Sequence, residues 1–176
     1  MRPAECDDAC MPTADRRVAL VTGSSRGLGA VIARRLASDG FAVAVNGRRG
    51  DRQAEQVARG IRGDGSVAEA FCADITDEQQ VAELIAAITG RFGPVDVLVL
   101  NATGPQPEAP ITEVGWAGHL AQLDFFVKAP CCSAVRCCPR WQPGGMAASC
   151  ISTPRLPTDR RRAGRPMPPP RMPRSA

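Results

Sequence analysis

The segment Val18-Ala-Leu-Val-Thr-Gly-Ser-Ser-Arg-Gly-Leu-Gly29 decides the fold of this 176-residue chain. Four apolar residues, Val18–Val21, predict a buried strand, and a helical pattern, Leu28–Ser38, begins directly after the glycine-rich turn. Glycines allow a tight turn, close approach of a phosphate group to the backbone, and packing of the helix on its strand. Because free N–H groups at the start of such a helix hold an anion, this segment predicts nucleotide binding.

Three further apolar runs follow at the spacing expected for strands separated by helices. They are Phe41–Val45, Val67–Cys72 and Val95–Leu100, and the helical patterns between them cover Ala54–Ile61 and Thr76–Thr89. At the start of the helical pattern Thr76–Thr89, Thr76 and Gln79 fit a capping box, and Gly90 ends the pattern. Asn101–Pro110 is typical of a loop and Thr112–Ala129 of a last helix. The alternation predicts an α/β fold of Rossmann type, a doubly wound parallel sheet with strand order 3-2-1-4.

Composition divides the chain after Pro130. Residues 131–176 contain nine arginines, one acidic residue, nine prolines and five cysteines, but only three residues that are valine, isoleucine or leucine. This segment has too little apolar surface for a core, so we expect 131–176 to be a disordered Arg/Pro/Cys-rich tail, 1–16 a disordered leader, and 17–130 the folded domain. No signal-peptide pattern opens the chain, so we expect a cytoplasmic protein with reduced cysteines and no membrane partner.

Three motifs resemble, in the same order, those of the short-chain dehydrogenase/reductase family. Thr22–Gly29 is similar to its glycine motif, Thr-Gly-x-x-x-Gly-x-Gly, and Ala73–Ile75 to the motif whose aspartate contacts adenine. Asn101–Gly104 is similar to its Asn-Asn-Ala-Gly motif, with Leu100 before the asparagine and Thr103 inserted. The resemblance covers residues 17–130, the N-terminal half of that fold. It implies a homo-oligomeric oxidoreductase that moves hydride between a nicotinamide cofactor and a carbonyl or alcohol carbon, as 3-oxoacyl reductases do.

The resemblance places cofactor-binding residues in four loops. They are Gly23, Ser24, Ser25, Arg26, Gly27, Leu28, Gly29, Arg48, Asp74, Ile75, Asn101, Ala102 and Gly104. An acidic residue at the end of the second strand would bind the ribose diol of NAD, but no acid follows that strand before Asp51. Arg26 and Arg48 supply charge suited to a 2′-phosphate, which favours NADP over NAD. The alternative is that both arginines are solvated surface charges.

The family's catalytic pair is missing from the chain. In the family a tyrosine transfers the proton, a lysine four residues later lowers its pKa, and a serine thirteen residues earlier positions the substrate oxygen. This chain has no tyrosine, and its one lysine, Lys128, precedes the region where the pair belongs. We therefore assign no catalytic residue and expect a truncated, inactive relative of NADP-dependent reductases. Loss of the family's fifth strand would also leave Val95–Leu100 as an apolar edge prone to aggregation.

The tail has the pattern of such a sequence translated in a shifted reading frame. Suppose that one nucleotide is missing near the codon for Pro130. Each codon of the original gene then consists of the third base of one codon in the present reading frame and the first two bases of the next codon. From Met146 the shifted frame must encode glycine and then permits arginine, isoleucine and valine, as on the family's strand before its serine. A serine codon spans Thr153–Pro154, and a tyrosine codon spans Pro166–Met167 thirteen codons later, with a lysine codon permitted four codons beyond. Both family spacings are recovered.

Two other interpretations of the tail are open. Cysteines 131, 132, 137, 138 and 150 with His119 would make a zinc site, but adjacent cysteines fit the usual Cys-x₂₋₄-Cys pairs poorly. The arginines would bind RNA or an acidic partner, although Trp141 is the one aromatic residue of the tail available for base stacking. A shifted frame explains the same composition, so we expect no metal and no nucleic-acid partner. The alternatives to an enzyme are a non-catalytic NADP-binding remnant and an arginine-tail binding protein.

We expect the coding DNA to lack one nucleotide near the codon for Pro130. Sequencing codons 128–133 and translating the downstream DNA in the alternative frame tests this, because the serine, tyrosine and lysine codons should then appear at the spacings given above. An uninterrupted frame without those codons would contradict the hypothesis.

Overall fold

Four parallel strands form one sheet in the computed structural model of the chain, which describes residues 16–48, 50–104, 106–107, 109–110 and 112–137. The strands are β1 (Val18–Val21), β2 (Ala42–Gly47), β3 (Ala68–Cys72) and β4 (Val95–Val99). They lie in the order β3-β2-β1-β4, and every neighbouring pair is parallel. The predicted doubly wound sheet of Rossmann type and its strand order are confirmed.

Helices connect the strands and cover the sheet. They are α1 (Gly27–Ser38), α2 (Arg52–Gly63), α3 (Glu78–Phe92), α4 (Trp116–Leu123) and α5 (Ala129–Cys137), with a π-helical turn at Asp124–Lys128 between the last two. Helices α1 and α2 each link one strand to its parallel neighbour, whereas α3 connects β3 at one edge of the sheet to β4 at the other. Among the helices of the described residues, none is long and apolar enough to cross a membrane.

Strand β1 belongs to two hydrophobic cores, one on each face of the sheet. Ala19 and Val21 pack in the core that α1 and α2 cover, whereas Val18 and Leu20 pack in the core that α3 covers. All four side chains are buried. Because side chains alternate between the two faces of a strand, burial on both faces explains why β1 is a continuous apolar run.

The N-terminus of α3 differs from the sequence expectation. Its N-cap is Asp77, whose Oδ1 accepts hydrogen bonds from the backbone N–H groups of Gln79 at 2.9 Å and Gln80 at 3.1 Å. The Thr76 hydroxyl donates instead to Oδ1 of Asp74, at 2.7 Å. The predicted capping box is therefore wrong, because the threonine is already bonded in the preceding turn and the aspartate reaches the free N–H groups.

Two other helix boundaries were misplaced. Helix α3 continues past Gly90 to Phe92, and the residue with positive φ is Gly93, at φ 105°. Helix α2 begins at Arg52, two residues before its expected start, because the Asp51 side chain accepts a hydrogen bond from the N–H of Gln53. In both cases the capping residue, rather than the apolar periodicity, sets the end of the helix.

The last helical segment begins later and extends further than the expected Thr112–Ala129. It runs from Trp116 to Cys137, and the N–H of Ala129 donates to the carbonyl of Asp124, five residues earlier, within its π-helical turn. Pro130 follows directly. Proline has no N–H and its ring needs room beside the carbonyl four residues before it, so a locally widened turn lets the helix continue through this residue.

Residues 131–137 are helical, contrary to the disorder expected from position 131 onward. Helix α5 packs against α3 and β4, and Cys137 is buried in the same core as Val18 and Leu98. A free cysteine behaves as a small apolar side chain, so this first part of the tail still fits a core position. The remaining tail, 138–176, and residues 1–15 of the expected leader lie outside the described residues.

Strand β4 lies at one edge of the sheet. Across the described part of the chain it pairs with β1 alone, in the register Leu20 to Leu98 and Val21 to Val99. Backbone groups on its other side have no strand partner among these residues, which is the arrangement that makes an edge prone to pairing with other chains. Aggregation through this edge stays a prediction.

Replacing the cap of α3 tests the corrected boundary. We expect Asp77→Ala to lower the midpoint of thermal unfolding by about 5 °C, because two N–H groups of the first turn lose their acceptor. Thr89→Ala, an exposed position on the same helix, is the matched control and should change the midpoint by less than about 2 °C. Equal effects of the two substitutions, measured by circular dichroism, would contradict the assignment of Asp77 as the cap.

Candidate functional site

A cleft of about 350 Å³ lies at the carboxyl ends of the four strands. Its walls come from the segments that follow β1, β2, β3 and β4, together with the π-helical turn. The lining residues are Gly23, Ser25, Arg26, Gly27, Leu28, Asn46, Arg48, Asp51, Ala73, Asp74, Ile75, Asn101, Ala102, Thr103 and Phe125. Strand order reverses between β1 and β4, so the cleft occupies the switch point where doubly wound sheets bind their ligands.

The glycine-rich segment after β1 has two positions with no room for a side chain. Gly23 has φ 61°, and a Cβ atom there would lie 2.7 Å from Cα of Ala102. A Cβ atom at Gly29 would lie 2.5 Å from Nδ2 of Asn101. The segment after β1 and the start of α1 therefore pack against the segment after β4 at backbone distance.

The N-terminus of α1 opens onto the cleft. Arg26 is its N-cap, and the arginine side chain makes no capping hydrogen bond. The N–H groups in the first turn of a helix have no partner inside the helix. Together with the positive end of the helix dipole they form a site for an anion such as a pyrophosphate.

Thr22 and Asn101 join the segments that follow β1 and β4. The Thr22 hydroxyl donates to the carbonyl of Val99 at 3.2 Å and accepts from the N–H groups of Asn101, at 3.0 Å, and Ala102, at 3.2 Å. Nδ2 of Asn101 donates in return to the carbonyls of Thr22 and Gly23, both at 3.1 Å. The asparagine identified from the sequence thus holds the glycine segment.

Asn46, at the end of β2, holds the same segment from the other side and was missed by the sequence reasoning. Its side chain is 2% exposed, and its Oδ1 accepts the N–H of Gly23 at 3.2 Å. Its Nδ2 donates to the carbonyls of Phe71 and Ala73, both at 3.3 Å. The signal was present, because one polar residue ends an otherwise apolar strand, and buried polar side chains almost always have hydrogen-bond partners.

Arg48 and Asp74 form an ion pair beside the cleft, with Nη2 and Oδ2 3.2 Å apart. The arginine side chain is 64% exposed, and its guanidinium carbon lies 5.8 Å from the ring centre of Phe125. Partial burial opposes ionisation of Asp74, but hydrogen bonds from the N–H and hydroxyl of Thr76 and the charge of Arg48 outweigh it and lower the pKa of this carboxyl. Asp74 is therefore ionised at neutral pH.

Ten of the thirteen residues expected at the cofactor line the cleft. The three others, Ser24, Gly29 and Gly104, lie behind it. Ser24 is fully buried, and its hydroxyl donates to the carbonyl of Val21. Gly104 lies under the ring of Phe125, which leaves no room for a Cβ atom. These three positions shape the walls of the cleft.

Four further lining residues were not assigned to the cofactor: Ala73 and Thr103, which lie within the quoted motifs, and Asp51 and Phe125, which lie outside them. Asp51 is the one of these that bears on cofactor choice, since a carboxylate would repel a 2′-phosphate. Its side chain is bonded to the N–H of Gln53 as the cap of α2. This places the carboxylate at a helix N-terminus, where it offsets the helix dipole.

Side chains suited to a metal ion do not converge in the part of the chain that the structure describes. Within it, no group of three histidine, cysteine, aspartate or glutamate side chains has the arrangement of a metal site. Along α5, Cys131 is exposed, Cys132 is half-buried and Cys137 is buried, so these side chains face different surroundings. Cys138 and Cys150 lie outside the described residues.

A parallel doubly wound sheet with a glycine-rich turn, a helix N-terminus and a cleft at its switch point defines a dinucleotide-binding domain of Rossmann type. The sequence pattern of the short chain dehydrogenase family matches residues 17–123. The chain belongs to this family. The expected resemblance is confirmed.

Relatives of known activity and structure agree with this assignment. The chain is 44% identical to cis-4-hydroxycyclohexanecarboxylate dehydrogenase of Sinomonas cyclohexanicum over 119 residues, and this match covers 65% of this chain and 46% of that protein. It is 44% identical over 84 residues to the 3-oxoacyl-(acyl-carrier-protein) reductase FabG of Staphylococcus epidermidis, covering 48% and 34%. A blue fluorescent protein from a metagenomic library, solved in complex with NADPH, superposes with a TM-score of 0.68 at 33% identity, covering 77% and 54%. The chain thus spans about half the length of its relatives or less.

The lowered pKa of Asp74 predicts a pH-dependent contribution to stability. The contribution is fully present above the ordinary pKa of an aspartate, about 3.9, and is lost as pH falls through the lower value of the folded chain. We expect Asp74→Asn to reduce the free energy of unfolding by about 1 kcal/mol at pH 7, a difference that disappears toward pH 3. Urea unfolding between pH 3 and 7 measures it.

Asp39→Asn is the control for this measurement. Asp39 pairs with Arg35 at 3.1 Å on an exposed face of α1, where an ion pair contributes less than about 0.5 kcal/mol. A loss for Asp74→Asn that is no larger than the control's, or that is the same at pH 3 and pH 7, would contradict the role given to Asp74.

Proposed function

We propose that this chain is the cofactor-binding half of an NADP-dependent oxidoreductase and binds NADP in the cleft without turning over a substrate. The observation that carries the proposal is the pair of cationic side chains, Arg26 and Arg48, that flank an anion-binding helix N-terminus in one cleft. The NADPH bound by the structural relative at 33% identity supports the same cofactor. The reaction class that the family resemblance implies is hydride transfer between the nicotinamide of the cofactor and a carbonyl or alcohol carbon, and the names of the dehydrogenase and reductase relatives agree with it.

The residues present fit a dinucleotide phosphate. The first turn of α1 offers N–H groups for the pyrophosphate, and the close packing at Gly23 keeps side chains away from it. Asp74 and Ile75, on the wall after β3, are placed to contact an adenine ring. Arg26 and Arg48 are exposed on the rim, where a 2′-phosphate can form charge-assisted hydrogen bonds.

Among the described residues that line the cleft, neither of the two acidic side chains is free for a ribose diol. Asp51 is bonded to the N–H of Gln53, and Asp74 is paired with Arg48 and bonded to Thr76. NAD recognition in doubly wound folds uses a carboxylate at the end of the second strand, and here β2 ends with Asn46 and Gly47, neither of which is acidic. The charge distribution therefore favours NADP over NAD.

The chain lacks the tyrosine with which the family transfers a proton. A bound NADPH supplies the hydride, but a carbonyl oxygen that becomes an alcohol also needs a proton from a positioned acid. The chain contains no tyrosine, and its one lysine, Lys128, lies 3.9 Å from Glu78 on the outside of α3. Binding without turnover follows, and a shifted reading frame after Pro130 accounts for the missing groups.

Titration of the purified chain with NADPH and NADH, followed by nicotinamide fluorescence, tests the proposal. We expect NADPH to bind at least about tenfold more tightly than NADH, and Arg48→Gln to weaken NADPH binding about tenfold with little change for NADH, the effect of one charge-assisted hydrogen bond. Arg59→Gln is the matched control, since Arg59 is exposed on α2 and pairs with Glu55 away from the cleft.

Three outcomes would contradict the proposal. The first is no binding of either nucleotide, and the second is equal affinity for NADPH and NADH that Arg48→Gln does not change. The third is oxidation of NADPH coupled to reduction of a carbonyl compound by this chain, because it would require a proton donor other than tyrosine.

A further inference from the structure

We propose that Asn46 is a positioning residue for cofactor binding and that it acts with Asn101 on both sides of Gly23. The two side chains, called here the Gly23 clamp, hold the backbone of the glycine segment in its ligand-binding shape before any ligand arrives. The inference rests on the proposed binding of NADP and adds a residue that none of the family motifs in this sequence contains.

Both backbone polar groups of Gly23 are engaged by the clamp. The Gly23 N–H donates to Oδ1 of Asn46 at 3.2 Å, and the Gly23 carbonyl accepts from Nδ2 of Asn101 at 3.1 Å. Asn46 is the last residue but one of β2 and Asn101 follows β4, and these strands are the two neighbours of β1 in the sheet. The glycine that follows β1 is therefore fixed from both sides by side chains of two different strands.

Asn46 cannot turn its amide without loss of hydrogen bonds. Its Nδ2 donates to the carbonyls of Phe71 and Ala73, and also lies 3.4 Å from the carbonyl of Gly47. A flipped amide would place its oxygen against these carbonyls and its NH₂ against the N–H of Gly23. Hydrogen bonds to Phe71 in β3 and to Ala73 just after it thus direct Oδ1 of Asn46 at the N–H of Gly23.

A second set of bonds joins Asn46 to the glycine segment through Ser24. The Ser24 N–H donates to the Asn46 carbonyl at 2.9 Å, and the Asn46 N–H donates to Oγ of Ser24 at 2.9 Å. The same hydroxyl donates to the carbonyl of Val21 at 2.6 Å. Ser24 and Asn46 are both at most 2% exposed, so these bonds are shielded from water.

The clamp acts on affinity through the shape of the backbone. Both polar atoms of the Asn46 side chain are bonded within the protein, so this side chain has no strong hydrogen bond left for a ligand. Gly23 has a positive φ, and an unrestrained glycine would adopt this conformation as only one among many. Holding it in one conformation removes an ordering cost from ligand binding, which raises affinity.

The test measures NADPH affinity and thermal stability for the whole chain and four variants. Asn46→Ala and Asn101→Ala each remove one side of the clamp, and the double variant removes both. Val43→Ala is the control, because Val43 is a fully buried residue of the same strand β2 and its partner in β1 is Ala19, four positions before Gly23. It lowers stability by leaving a cavity and should leave NADPH affinity unchanged.

We expect each asparagine variant to raise the Kd for NADPH about tenfold, and the double variant to raise it by clearly less than the product of the two effects. Such coupling is the mark of two groups that restrain one residue. A Kd for Asn46→Ala within threefold of the unaltered chain, or single effects that multiply fully in the double variant, would overturn the proposal.

Amide hydrogen exchange of the ligand-free chain provides a second measurement. The Gly23 N–H should exchange slowly in the unaltered chain and at least about tenfold faster in Asn46→Ser, a milder substitution for the case that the alanine variant does not fold. Fast exchange in the unaltered chain would overturn the clamp itself. If Gly23 is protected but NADPH does not bind, the proposed function fails while the clamp stands.

Discussion

Contact between the backbones after β1 and β4 is the constraint on which the cleft depends. At Gly23 only a hydrogen atom fits against Ala102, so the two segments meet at backbone distance. Asn101 then donates two hydrogen bonds to Thr22 across this contact, one from its backbone N–H to the hydroxyl and one from its side chain to the carbonyl. A side chain at Gly23 would separate the segments and remove these bonds together, and the N-terminus of α1 would lose its place beside the cleft.

Strand order explains how one glycine comes to be held so completely. β1 lies between β2 and β4, so the carboxyl ends of both neighbours flank the turn that leaves it. Asn46 and Asn101 occupy those two ends and engage opposite polar groups of Gly23. In a sheet with another order these residues would lie on different edges. Topology therefore decides which distant side chains determine the shape of the anion site.

The proposed function separates cofactor binding from chemistry. Four strands, the anion site and the arginines of the cleft rim lie in the first part of the chain, where the family pattern matches residues 17–123. The tyrosine that transfers the proton in the family is absent from the sequence. Helix α5 shows that the fold persists a short way into the tail, because Cys137 fills an apolar position. The proposed frame change near Pro130 would explain the missing tyrosine, whereas residues 131–137 still continue the fold as part of α5.

The sequence by itself determined the four strands, their order and most of the cleft, because apolar periodicity and glycine spacing are local signals. It also determined the absence of a catalytic tyrosine. Tertiary structure decided which of two adjacent residues, Thr76 or Asp77, caps α3, since both are good caps and Asp74 competes for the threonine. It also decided the role of Asn46. This residue and Gly23 are 23 positions apart, and only the parallel pairing of β2 with β1 brings the amide to the glycine.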